Sequence, residues 1–447
     1  FIKAMALAVT FSFVSPNERL PIIGFLFVAA AGISCSKKST TTATTNTSTK
    51  PNILFIIADD LGKDAINGFS EGVSKPKTPN LDAIRNNGLL FSNFWVNPTC
   101  SPTRASILTG KYGYRTNVKG AGDILSSSEL ALQKYISDQT QNSYASALIG
   151  KWHLSGASLT ANPETYGIDY YAGLNRGTLD DYYNWPLSEN GSSTTQTKYS
   201  TEAFTDLSIN WIAQQSKPWF LWLAFNAPHT PFHVPPSNMH SQGNLAPYTT
   251  ASNPLPYYLA AIEAMDFQIG RLLASMTQAQ KDNTIIIFIG DNGTAPQVVQ
   301  SPYTTTTVKS SIYQGGINTP MFISGNGVSR KGTDNNLVVS TDLFATLAEI
   351  AGVKVSTIND SQSFKSLFTE GSTIRKFQYS EMKAGTDDFW AISNGTYKLH
   401  GSATGDKKMF NLSTDKYEQN NLLTRTLTLT ETNAKTELEV ELLSIRK

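Results

Sequence analysis

The sequence predicts an α/β fold: a large mixed, mostly parallel sheet sandwiched by helices, with a smaller C-terminal subdomain of antiparallel sheet plus helix. Three observations carry this. From Pro51 to about residue 365, apolar runs of strand length alternate with helix-periodic stretches, the pattern of parallel strands joined by crossover helices. Several of those runs are apolar throughout, as strands covered on both faces are. Beyond residue 365 the runs are shorter and more polar, and the turn-forming NGTYK separates two strand-like stretches, as in a hairpin.

Residues 52–60, NILFIIADD, form a buried-strand run ending in acids. Residues 78–88 carry a threonine N-cap, a proline at the first helical position and a closing glycine, which predicts a helix. Residues 89–96, LLFSNFWV, read as one strand, and residues 127–139 as a capped amphipathic helix. Residues 144–153 and 219–229 are two more buried strands. Residues 257–276 form a long helix, 284–293 contain the strongest strand, TIIIFIG, and 341–352 form a capped helix ending in glycine. The closing stretch ETNAKTELEVELLSIRK is helix-like. These boundaries divide the chain into 1–50, 51–365 and 366–447.

Residues 22–34, IIGFLFVAAAGIS, follow Arg19 and are too short for a comfortable membrane span, fitting the apolar core of a secretory signal. Small residues lead to Cys35, and a Ser/Thr-rich tether with nothing to bury follows. This resembles a bacterial lipoprotein signal with Cys35 as the lipidation site. It predicts an exported protein, in the periplasm or attached to the cell surface. A plain signal peptide is the alternative.

In the 447-residue chain 40% of residues are hydrophobic and 16% charged, with 36 basic against 35 acidic side chains. That balance supplies no electrostatic footprint for nucleic acid. The two cysteines, Cys35 and Cys100, sit in contexts that suggest separate tasks, and no disulfide is predicted between them.

The ends of the apolar runs concentrate ionisable residues: Asp59 and Asp60, Lys151 and His153, His229, and Asp291 with Asn292. In open α/β sheets ligands bind beyond the carboxyl ends of the strands. A parallel arrangement brings these groups to one rim, suited to holding a cation and an anion together. Oxygen donors from Asp59, Asp60, Asp291 and Asn292 favour Ca²⁺, or Mg²⁺, over a soft metal. Cys100 opens a helix-like stretch, where free backbone N–H groups attract negative charge, and Arg104 lies one turn on.

The stretch CSPTRASILTG, from Cys100, resembles the signature of type I sulfatases of the alkaline phosphatase superfamily: Cys, any residue, Pro, any residue, Arg, then an apolar pair and Thr-Gly. ADDLG at Ala58, GKWHL at Gly150, APHTPF at Ala227, GDNG at Gly290, KSSIYQGGINTP at Lys309 and MFNLSTDKYEQNNL near the C terminus resemble further family motifs, in family order. The likeness spans about residues 51–425. It departs at Gln314, where the family usually has Glu, and at Asn318, where it usually has Arg. Thr103 replaces the commoner Ser or Ala.

The resemblance implies that a separate maturation enzyme oxidises Cys100 to Cα-formylglycine. One hydroxyl of the hydrated aldehyde, on the cation, attacks the sulfur of a sulfate ester. It implies a metal site of Asp59, Asp60, Cys100, Asp291 and Asn292, with Asp291 accepting the proton of the attacking hydroxyl. Arg104 holds the hydrate. Lys151, His229 and Lys309 bind the sulfate, and His229 or Lys309 protonates the leaving alcohol. His153 takes the proton whose loss expels sulfate. Lys111 supports this site or is a surface lysine. His233 reaches substrate or braces its loop, and His240 and His400 receive no role.

The implied partner is a sulfated small molecule or glycan, with a carbohydrate favoured. Trp95, Trp152 and residues 180–185 line either a sugar cleft or the core. The alternatives are an arylsulfatase on small substrates, a phosphodiesterase or phosphonate monoester hydrolase of the same superfamily, and a non-catalytic glycan-binding surface lipoprotein.

Overall fold

The computed structural model describes residues 50–447, except 157, 158, 160, 373, 374 and 406. The signal-like run and Cys35 lie outside the described residues. The α/β expectation holds. A ten-stranded sheet runs in the order Gly332–Asp334, Leu89–Phe91, Met321–Gly325, Thr284–Gly290, Asn52–Ala58, Trp219–Ala224, Ala145–Lys151, Tyr170–Leu174, Trp185–Glu189, Ser192–Gln196. The five strands from Thr284–Gly290 to Tyr170–Leu174 are mutually parallel. Met321–Gly325 runs antiparallel to them.

The unbroken apolar character of the central strands has a direct cause. Ile53, Phe55 and Ile57 enter one core, and Leu54, Ile56 and Ala58 enter the other. Because successive side chains alternate faces, a strand between two cores must be apolar at every position. The helices Pro79–Asn86, Ser200–Ala213 and Leu255–Ser275 cover one face, and Cys100–Thr109, Leu132–Gln139 and Asp342–Ile350 cover the other.

Register then fixes the rim. Ala58 lies opposite Gly290, Ile57 opposite Ala224, and Gly150 opposite Ala224. The residues just beyond these ends leave the sheet side by side, and Asp291 N–H donates to Ala58 O while Asp59 N–H donates to Ala227 O, both at 3.1 Å.

The C-terminal part is a four-stranded antiparallel sheet, Gln378–Ala384, Asp387–Ser393, Tyr397–Ser402 and Lys408–Asn411, in chain order. The expected hairpin falls at Asn394–Gly395. The helix Leu429–Ile445 packs on this sheet and starts with a complete capping box of Thr428 and Glu431. Residues 49–447 form one compact unit.

Some local expectations fail for identifiable reasons. Residues 89–96 are not one strand. After Phe91 the chain changes partner: Ser92 N–H donates to Asp334 O, and Phe94–Trp95 pairs with Val338–Val339 in a separate two-stranded ladder. The helix expected from residue 127 begins at Leu132, because Ser126 makes a turn with Ser128 and Glu129 instead. Thr78 does not cap its helix. The Asp266 carboxylate does so from the neighbouring long helix, accepting from the N–H groups of Asn80 and Leu81. Thr341 already has helical backbone angles and makes no side-chain cap.

Candidate active site

Every rim residue singled out in the sequence enters one cluster of hydrogen bonds and close polar contacts. Cys100 begins the helix Cys100–Thr109 and is buried, with Sγ 3.0 Å from His153 Nδ1. One turn on, Arg104 donates from Nε and Nη2 to Asp291 Oδ2 (3.1 and 2.8 Å) and from Nη1 to Lys151 O (2.8 Å). Lys151 is wholly buried and pairs with Asp59. Lys309 Nζ donates to Asp60 Oδ2 at 2.6 Å, and His229 Nε2 lies 3.6 Å from the same oxygen. Asn292 Nδ2 donates to Asp60 Oδ1 at 2.8 Å, and Asp60 N–H donates to Asp291 Oδ1 at 3.2 Å.

Two donor groupings share Asp59: Asp59 with Cys100 and Asp291, and Asp59 with Asp60 and His229, each with ligand atoms within 4.8 Å of one another. Asp59 Oδ1 and Asn292 Oδ1 are buried and have no hydrogen-bond partner. An unpaired buried carboxylate oxygen is costly. A hard divalent cation would satisfy both oxygens, so the residues present fit Ca²⁺ or Mg²⁺.

The protonation states follow from burial and charge. Burial would raise the Asp60 carboxyl, but the charges of His229, Lys309 and Lys151 and the Asn292 hydrogen bond outweigh it and hold the group well below the usual carboxylate range. Asp291 goes the other way, to about 6: burial and the Asp59 charge prevail over Arg104. Burial also raises the Cys100 thiol, so the unmodified residue is a poor nucleophile. Burial and the charges of Lys151 and Arg104 push His153 well below its ordinary value, keeping the imidazole neutral. Lys151 stays cationic, since Asp59 and Cys100 outweigh its desolvation.

The backbone is unusual here too. Asp60, His153 and Ser310 have φ of 66°, 59° and 66°, left-handed values that non-glycine residues rarely adopt. Such strain gathers where surrounding structure fixes a side chain for a task.

Some groups that position the rim residues are not assigned that role from the sequence. Ser101 Oγ donates to His153 O (2.8 Å), Tyr182 OH to His229 O (2.7 Å) and Tyr258 OH to Asp60 O (2.6 Å). Gly177 abuts the rim histidine: a Cβ there would lie 2.1 Å from His153 Nε2. Its φ is not left-handed, so space alone demands glycine. Ser101 sits inside the cysteine motif and Tyr182 within residues 180–185, read as cleft or core, but Tyr258 and Gly177 look like ordinary helix and loop residues in a sequence.

The remaining candidates lie apart. Lys111 pairs with Glu129 at 2.7 Å. His233 stacks on Tyr182, with centroids 3.7 Å apart, and contacts Tyr199 OH at 3.1 Å, so it braces its loop. His400 packs between Tyr313 and Phe410, and His240 Nδ1 accepts from Gln242 N–H. Trp95, Trp152 and Trp185 are core, at 1–2% exposed, and of residues 180–185 Tyr182 is buried with them.

Against known proteins, the family model described as Sulfatase matches residues 51–353. The chain belongs to the sulfatase family. The match to the sulfatase YdeN of Escherichia coli is 27% identical and covers 69% of this chain and 64% of that protein, so this chain spans a little under two thirds of that relative's length. An ulvan-active sulfatase of Formosa agariphila is 27% identical over 89% of this chain and 82% of its own. Among solved structures, Ps i-CgsB in complex with k-i-k-neocarrahexaose superposes with a TM-score of 0.74 at 24% identity, covering 87% of this chain and 92% of that one. BT4656 with its substrate D-glucosamine-2-N,6-O-disulfate gives 0.74 at 21%, covering 89% and 98%. These structural neighbours share the sulfatase fold, and the type I sulfatase resemblance read from the cysteine motif agrees with them.

Proposed function

We propose that the protein hydrolyses a sulfate monoester on a carbohydrate, with Cys100 converted to Cα-formylglycine and a divalent cation, Ca²⁺ or Mg²⁺, held by Asp59, Asp60, Asp291 and Asn292. The observation that carries this reading is the buried cluster itself. Three carboxylates and three fixed cations share one rim with Cys100, yet two of the rim's oxygens have no protein partner.

The cation and the hydrated aldehyde at position 100 supply a nucleophilic oxygen and charge stabilisation. The rest is the work of ordinary side chains. Arg104, locked to Asp291 and Lys151 O, fixes the start of the Cys100 helix against the strand ends. Asp291, with its raised pKa, is suited to accept a proton near neutrality. His153, neutral and with Nδ1 3.0 Å from the side chain at position 100, is placed to take a proton from that group. Lys151, Lys309 and His229 surround the ester's anionic oxygens, and His229 or Lys309 delivers a proton to the leaving alcohol.

A carbohydrate substrate is supported by the ulvan-active relative and by the saccharides bound to Ps i-CgsB and BT4656. The lipoprotein-like start extends the proposal to an exported envelope enzyme, matured by a formylglycine-generating partner.

The test is direct. Peptide mass analysis of protein from its native host should show the aldehyde at position 100. Chelation should abolish hydrolysis of sulfated mono- and oligosaccharides, and added Ca²⁺ should restore it. Unmodified thiol alone, or faster cleavage of a phosphate diester than of every sulfate ester, would overturn the proposal.

A further inference from the structure

Beside the catalytic rim lies a separate cavity of about 510 Å³, whose lining includes Lys63, Phe69, Glu71, Trp95, Gln314 and Asn335. Its size falls in the range of small-molecule sites. None of the metal-site or sulfate-binding candidates lines it. Two catalytic segments reach it, however: Lys63 follows closely on Asp60, and Gln314 on Lys309.

Lys63 is the unusual group. Its residue is 4% exposed, and Nζ donates to Ser92 O and Asn318 Oδ1, both at 2.6 Å, lying 4.9 Å over the Phe69 ring. Among the described residues it makes no ion pair within 4.0 Å. Burial brings its pKa down to about 7, against the more distant Glu71 charge. Glu71 itself lies 3.6 Å from Lys416 at the rim. Asn318 Nδ2 in turn donates to Gln314 Oε1 at 2.9 Å, and the buried Gln314 Nε2 has no partner. One wall of the cavity thus holds a buried lysine Nζ served by neutral oxygens only, beside a glutamine whose buried Nε2 has no partner. Such a wall is costly unless an acceptor meets it. The half-buried ring of Phe69 adjoins it, as suits a sugar ring.

We propose that this cavity binds an anionic sugar unit, its carboxylate or sulfate lying toward Lys63 and Gln314. The choice of a saccharide rests on the proposed glycan substrate; the anionic chemistry rests on the cavity alone. Bound there, the unit bears on both segments that carry catalytic residues, so the site would select charged polymers over simple esters.

The test is calorimetric binding of three probes to the full chain, parent and cavity variants side by side, so that binding lost in the variants reports the cavity. The probes are a uronic-acid disaccharide, its neutral methyl ester and a sulfated neutral disaccharide. At least one charged probe should bind, with the ester at least about tenfold weaker than its acid if the carboxylate is the ligand. Lys63→Met should weaken charged-probe binding about tenfold or more. Asn335→Trp, which fills the cavity from its exposed rim without touching the core, should do the same and stands in if the buried substitution unfolds the chain. Turnover of a small monosulfated substrate by Asn335→Trp should stay within about twofold of the parent. Binding by neither charged probe, equal binding of acid and ester with no sulfated-probe binding, or unchanged affinity in a folded variant would overturn the proposal. The binding readouts do not depend on hydrolysis, so they stand apart from the fate of the sulfatase reading.

Discussion

The molecule buries charge in two ways. At Asp342 and Arg375 every oxygen is used: Oδ1 and Oδ2 accept from Arg375 Nη2 and Nε at 2.6 Å, and from Gln362 and Val339 N–H at 2.8 and 3.0 Å. Arg375 also donates to Tyr112 OH and to the carbonyls of Phe377 and Asp360. At the rim Asp59, Asp60, Asp291, Arg104 and Lys151 are as deeply buried, but Asp59 Oδ1 and Asn292 Oδ1 are left over. The first arrangement closes on itself and ties the segment after the main sheet to the helix Asp342–Ile350. The second is complete only when something else binds. Buried charge by itself does not mark function; what sets the rim apart is oxygens left without partners where three carboxylates converge.

Paired substitutions would break this contrast most decisively. Cys100→Ala should remove measurable turnover, a loss of about 10⁴-fold or more, while changing stability by about 1 kcal/mol. Arg375→Met should do the reverse. It strands the Asp342 carboxylate and should cost about 3–5 kcal/mol of unfolding free energy, with kcat of the folded fraction retained. Denaturant melts beside initial rates on both variants give the answer. If Arg375→Met left the midpoint untouched, the distinction between closed and open charge clusters would collapse.

Gly177 sharpens the same contrast from the packing side. An added methyl collides with the His153 imidazole, while backbone conformation does not require glycine there. Gly177→Ala should therefore displace the ring by a fraction of an ångström to about 1 Å, lowering kcat by about 10²-fold with a smaller change in KM. A crystal structure of the variant with Cys100 unmodified should show the ring moved and Sγ farther than 3.0 Å from Nδ1. Parent-level kcat would mean that His153 tolerates displacement and is not a proton acceptor.

The sequence made the rim legible because chemistry sits where hydrophobic runs stop. Asp59, Lys151 and Asp291 each follow an apolar strand, and parallel pairing with matched register converts that one-dimensional coincidence into a cluster. What stayed hidden depends on partners distant in the chain. Nothing in residues 89–96 says that the ladder changes hands at Ser92. Nothing near Thr78 says that Asp266 will cap the helix in its place. Gly177 reads as a loop glycine until the ring it accommodates is in view. The tryptophans, readable either as cleft or as core, proved to be core because period-2 patterning identifies a buried face without saying what lies opposite.

The smallest expected effect concerns Lys111, next after the cysteine motif and thus drawn toward the site by sequence proximity alone. The helix Cys100–Thr109 separates them: ten residues at about 1.5 Å each carry the chain roughly 15 Å from Cys100. Gly110, at φ 67°, then turns it away, packed so closely on Phe344 that a Cβ would meet the ring at 3.1 Å. There Lys111 pairs with Glu129, the two side chains 31% and 13% exposed, so solvent screens the attraction. Lys111→Ala should cost about 1 kcal/mol or less and leave kcat/KM within about twofold. A tenfold loss of turnover at unchanged stability would show that the open cluster extends along the helix to its far end, and the line between structural and functional charge would have to be redrawn there.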